Sequence, residues 1–180
     1  MTNPNDHQGC CHAGELARRH FLRMALVGGV VATTAATLPL VPAEAGGTAE
    51  ALLLSCMDYR LVDDVVRYMD ARGMTNQYDH VVLAGGSLGA VSDKLNWGKT
   101  FWDHLDVAIK LHHVKKVIIL DHKDCGAYRV VFERDFTGDD ELAVHREQLG
   151  KLRAAIKERH PGLEVETLIM DLDGKVMPLV

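Results

Sequence analysis

The chain has no excess of positive charge. Lys and Arg number 20 against 25 Asp and Glu, a formal net charge of -5, so the basic footprint of a nucleic-acid partner is missing. A long apolar run is missing too. Met24 to Val41 comes nearest, but it is only about 18 residues, is diluted by Gly28, Gly29 and several threonines, and contains Pro39, so stable membrane insertion is not expected. Cysteine is scarce, with 4 in 180 residues. Cys10 and Cys11 sit near the start, which leaves Cys56 and Cys125 for the rest. The dinucleotide fingerprint is also absent. The glycines of A-G-G-S-L-G-A, Ala84 to Ala90, follow the second apolar strand instead of the first, are wrongly spaced, and have no acidic partner further on. They read as places where the backbone passes close to the end of the first strand.

What is present begins with a leader. Ala17 to Arg23, A-R-R-H-F-L-R, resembles a twin-arginine export signal, and Ala43-Glu44-Ala45 is an A-x-A cleavage site. Residues 1–45 are therefore expected to be a signal peptide and 46–180 a single domain, exported to the periplasm or outside the cell. In an exported domain, two remaining cysteines invite a disulfide, which competes with any reading of them as ligands.

Within 46–180, apolar periods of two kinds alternate. Ala51 to Ser55 is a buried strand, Leu61 to Met69 an amphipathic helix, and Tyr78 to Ala84 a second strand. Val91 to Gly98 reads as a polar connection and Lys99 to His113 as a helix. Val117 to Leu120 is the core of a third strand, which a short helix follows. Phe136 to Asp140 reads as a turn, Glu141 to His160 as a helix and Leu163 to Met170 as a fourth strand. Asp173-Gly174 then turns the chain into an antiparallel edge strand that tolerates Pro178. The order predicts an α/β fold with a mainly parallel sheet, strand order 2-1-3-4, an antiparallel C-terminal edge, and helices on both faces. In that order the carboxyl ends of strands one and three flank the crevice where such sheets bind ligands.

Those two ends carry the chemistry. The first strand runs into Cys56-Met57-Asp58-Tyr59-Arg60, and the third into His122-Lys123-Asp124-Cys125-Gly126. Two thiolates and an imidazole are a zinc donor set, and three protein ligands with an open fourth position mark a catalytic site. Cys125 at a helix start is expected to have a lowered pKa. Asp58 either fills the fourth position or holds a metal-bound water.

The C-x-D-x-R and H-x-x-C-G motifs, with a glycine-rich strand end between them, resemble the β-class carbonic anhydrases. The resemblance runs from about Ala51 to the end. It implies zinc on Cys56, His122 and Cys125, and a catalytic dyad of Asp58 and Arg60. The implied reaction is reversible hydration of carbon dioxide to bicarbonate and a proton by a zinc-bound hydroxide, in a homodimer or larger homo-oligomer. Two departures stand out: the family's R-N-A-G-N segment is replaced by the glycine loop, and Tyr59 stands where serine is usual. A reshaped pocket is compatible with carbonyl sulfide or carbon disulfide as substrate. A non-catalytic zinc module, with Asp58 closing the site, is the other alternative.

Overall fold

The computed structural model describes residues 47–180; the expected signal segment, 1–45, lies outside them. Five strands form one sheet in the order β2-β1-β3-β4-β5. They are β1 (Ala51–Ser55), β2 (Tyr78–Val82), β3 (Lys116–His122), β4 (Glu164–Met170) and β5 (Val176–Pro178). All neighbours are parallel except β4 and β5, so the expected order and its antiparallel edge are both found. The helices are α1 (Val62–Ala71), α2 (Ser87–Val91), α3 (Gly98–His112), α4 (Gly126–Phe132) and α5 (Gly138–Arg159).

The unbroken apolar runs of β1 and β3 have their cause in the two-sided burial of a central parallel strand. Leu52, Leu54, Val117 and Ile119 face Phe101 and Leu105 of α3 and Leu149, Leu152 and Ile156 of α5. On the other side Leu53, Ile118, Leu120 and Leu168 meet Leu61, Val65 and Met69 at α1. Ser55 is opposite Leu120 in the β1–β3 register. This register brings Cys56, the residue after β1, to the same sheet edge as His122, the last of β3. Among the described residues no helix is long and apolar enough to cross a membrane.

The sequence reading missed one element and shortened another. Ser87–Val91 is helical, although S-L-G-A-V has too few residues and too much glycine for intrinsic propensity to specify a helix. Tertiary packing makes it: Ser87, Leu88, Gly89 and Ala90 are all buried. A Cβ on Gly89 would lie 2.7 Å from the Ala84 carbonyl oxygen, so the helix can seat only on glycine. The last long helix starts three residues earlier than expected, with Thr137 as its N-cap residue.

Candidate metal centre

The first strand ends at Ser55, and the chain then turns instead of running on extended. Leu61 N–H donates to the Asp58 carbonyl, and Arg60 N–H donates to Asp58 Oδ1 at 3.0 Å. A chain that ran on extended would also put residues 58 and 60 on one side. The pairing is real, but an Asx-type turn produces it. Through that turn Arg60 grips Asp58 twice, Nε to Oδ1 at 3.0 Å and Nη2 to Oδ2 at 2.8 Å. These bonds hold the Asp58 carboxyl at about pKa 2, below the usual carboxylate range. The side chain of Asp58 is 15% exposed, at the lip of the site.

Cys56, His122 and Cys125 converge as the sequence placed them. Their ligand atoms all lie within 4.8 Å of one another, and together they could hold a metal ion. Both cysteines are free thiols with the two Sγ atoms 3.8 Å apart, so the disulfide alternative is not what the fold builds. His122 is buried, and its Nδ1 faces the Lys123 carbonyl at 2.7 Å, which assigns the proton to Nδ1. Nε2 is left as an acceptor, buried and without a hydrogen-bond partner. An unpaired buried acceptor is costly unless something binds it, and this one points into the cysteine pair, with Asp58 Oδ2 at 3.8 Å.

The two sulfurs face each other across 3.8 Å, and either can donate to the other. Cys56 is pulled well below the ordinary thiol range, chiefly by its bond from Cys125 and then by His122 and the Gly85 N–H, while burial opposes the shift. That N–H donates to Cys56 Sγ at 3.2 Å. The expected lowering of Cys125 is reversed. Its bond to Cys56 and its burial push it up, and the opposing pull of the Ala127 N–H at the start of α4 is outweighed. The Gly85 N–H and His122 thus favour negative charge on Cys56, at the strand end. Burial pulls the His122 pKa down, but the charge of the neighbouring Cys56 sulfur and the Lys123 carbonyl outweigh it and raise the value.

A second cluster, behind the first, escaped the sequence reading. Asp121, 1% exposed, accepts from Ser87 N–H at 2.8 Å, Ser87 Oγ at 2.6 Å and Tyr128 Oη at 2.7 Å, and lies 3.0 Å from His145 Nδ1. The available signal was an aspartate closing the apolar run of β3 just before His122. Such a charge is buried only when it is fully bonded. The cluster ties the glycine loop, β3, α4 and α5 together around the metal-type residues. The glycine loop also earns its close-approach reading: at Gly86, φ is +54° and a Cβ would meet Asp121 Oδ1 at 2.5 Å and the Cys56 backbone nitrogen at 3.6 Å.

Comparison with known proteins gives the arrangement its context. Two uncharacterised proteins, from Rickettsia conorii and Rickettsia bellii, are 41% and 42% identical to this chain over 131 residues. Those alignments cover 71% of this chain and 70% and 80% of the relatives. Among solved structures, carbonic anhydrase from Streptococcus mutans superposes with a TM-score of 0.52 at 19% identity, covering 92% of this chain and 94% of that one. The β-carbonic anhydrase isoform I of Trichomonas vaginalis gives 0.50 at 17% identity, with 92% and 94% covered. At such identities the likeness shows the fold. The family itself rests on the model described as "Putative carbonic anhydrase", which matches residues 47–180. This chain belongs to that carbonic anhydrase family.

Proposed function

We propose that this chain is a zinc enzyme that catalyses the reversible hydration of carbon dioxide to bicarbonate and a proton. The observation that carries the reading is the buried, unpartnered His122 Nε2 set against two cysteine sulfurs, with a carboxylate–guanidinium pair at the lip. The donor set fits the metal. Two thiolates each ~2.3 Å from one tetrahedral zinc lie about 3.8 Å apart, which is the Sγ separation found. Zinc held by Cys56, His122 and Cys125 would act as a Lewis acid and lower the pKa of a bound water from ~15.7 toward ~7.

The chain's own residues do the rest. The Lys123 carbonyl fixes the His122 ring and its tautomer, and the Gly85 N–H orients Cys56. Asp58, ionised throughout the neutral range, accepts the attacking water's hydrogen and turns its lone pair toward the substrate carbon. Arg60 keeps that carboxylate charged and holds both of its oxygens. Asp58 and Arg60 are thus the catalytic pair.

Stopped-flow hydration assays with a pH indicator, on zinc-loaded protein between pH 6 and 9, test this. Turnover is expected. No activity at any pH, together with zinc loss in Asp58→Asn, would make the chain a non-catalytic zinc module. Turnover of carbonyl sulfide or carbon disulfide in place of carbon dioxide would keep the chemistry and change the substrate.

A further inference from the structure

Arg60 is held from both sides. Besides its two bonds to Asp58, Nη1 donates to Asp124 Oδ2 at 2.8 Å and Nη2 donates to the Asp124 carbonyl at 3.0 Å. Asp124 lies between His122 and Cys125 in the chain, yet it faces the Asp58–Arg60 pair. It is itself fixed by two further elements. Its N–H donates to Glu141 Oε1 at 2.5 Å, from the first turn of α5, and its Oδ1 pairs with Arg129 of α4. Its backbone sits at φ +57°, a conformation Asp tolerates better than most side chains. The charges alternate in a row: Asp58, Arg60, Asp124, Arg129.

We propose that Asp124 is a positioning residue that acts through Arg60 to keep Asp58 off the metal. This rests on the zinc-centre reading above. A guanidinium with one carboxylate partner can follow it as it moves. One pinned at its far end to Asp124 cannot, so the Asp58 carboxylate is held with Oδ2 at 3.8 Å from His122 Nε2 instead of swinging into the fourth position. Energy alone does not make the case. The side chains of Arg60 and Asp124 are 34% and 39% exposed, and ion pairs this open add little stability. The proposed effect is geometric. A planar fork bonded at both ends has one orientation, and misplacing a reacting group by about 1 Å is enough to slow a reaction strongly.

The variant that isolates this effect is Asp124→Gly. Glycine keeps the positive φ and the backbone carbonyl, and removes only the carboxylate. It is expected to bind one equivalent of zinc or cobalt and to melt within a few degrees of the parent. KM should hold while kcat falls roughly tenfold, the split that marks a lost transition-state geometry. With cobalt in place of zinc, the parent's visible spectrum should shift when azide is added, and the spectrum of Asp124→Gly should not, because Asp58 then occupies the exchangeable position. Asp124→Asn keeps an acceptor for Arg60 Nη1 and should restore most of the turnover and of the azide response. Parental kcat and azide response in Asp124→Gly would overturn the proposal. Loss of metal from it would do so as well, by making Asp124 a support for the ligands. A parent that shows no hydratase activity would defeat the proposed reaction, yet the cobalt comparison would still decide the clamp. If neither spectrum responds to azide, Asp58 already closes the site and the clamp is refuted.

Discussion

Each site residue has its chemistry set by a neighbour that holds one atom and leaves another free. The Lys123 carbonyl occupies His122 Nδ1 and leaves Nε2. Arg60 takes up both Asp58 oxygens from one side, so only their outer lone pairs remain for a water. This predicts a separation of effects. Arg60→Ala should reduce turnover about 10²-fold or more while zinc content stays at one per chain, because the carboxylate loses its orientation and not its charge. Asp58→Asn should also slow turnover without metal loss, since the amide accepts at one atom only. Zinc analysis alongside kcat checks both, and zinc loss in either variant would contradict the assigned roles.

The elements meet at two close approaches, and each gives a measurable consequence. The first is Gly86, at φ +54° and directly against Asp121. Gly86→Ala adds an atom 2.5 Å from a carboxylate oxygen that is 1% exposed as a residue and already bonded to Ser87, so neither partner can yield. A loss of roughly 1–3 kcal/mol is expected for the backbone strain alone, read from urea unfolding. Because the same loop supplies the Gly85 N–H to Cys56, zinc affinity should fall with stability.

The second approach joins the two strands at the β2 edge, where the buried Ser55 hydroxyl lies 2.8 Å from His80 Nε2. His80 is exposed as a residue, yet the partial desolvation of its ring against the sheet lowers its pKa below the ordinary 6.5. The folded chain then takes up this proton less readily than the unfolded one. The stability His80 contributes is present above pH 6.5 and is lost as pH falls through 6.5 toward the depressed folded value. Replacing it with an uncharged residue removes that loss. The melting temperature of wild type should therefore drop relative to His80→Gln between pH 7 and pH 5, and a gap constant over that range would be inconsistent with the assignment.

At the scale of the molecule, the proposed site opens among apolar side chains that nothing in the described chain covers. Met57, Tyr59, Val62 and Val66 are 63%, 86%, 55% and 44% exposed, and Val82 on the β2 edge is 46% exposed. Unpaired edges and apolar surface of this kind are usually covered by association, and we propose at least a homodimer. Light scattering at micromolar concentration checks it, with a fully active monomer as the contrary result. The export reading of residues 1–45 is likewise a proposal. Replacing Arg18 and Arg19 with Lys should leave unprocessed precursor in the cytoplasm, detected by fractionation and blotting, whereas unchanged processing would show that the leader has been misread.

By itself, the sequence determined the five strands and most of the helices, the order of the strands in the sheet, and the placing of Cys56 and His122 at the ends of adjacent strands. These follow from local period, from strand burial on both faces and from the narrow set of right-handed crossovers, all properties that consecutive residues carry. Only the tertiary structure decided what non-consecutive residues do to one another. It made a helix of Ser87–Val91, where propensity argues against one, because the burial of four of its residues and the Asp121 bonds outweigh it. It favours negative charge on Cys56 over Cys125, because the Gly85 N–H and His122 contacts that stabilise it come from residues far from Cys56 in sequence. It also placed Asp124 behind Arg60, 64 positions away. No spacing rule contains that contact, because it depends on how far the turn after β1 and the turn after β3 reach across the same crevice.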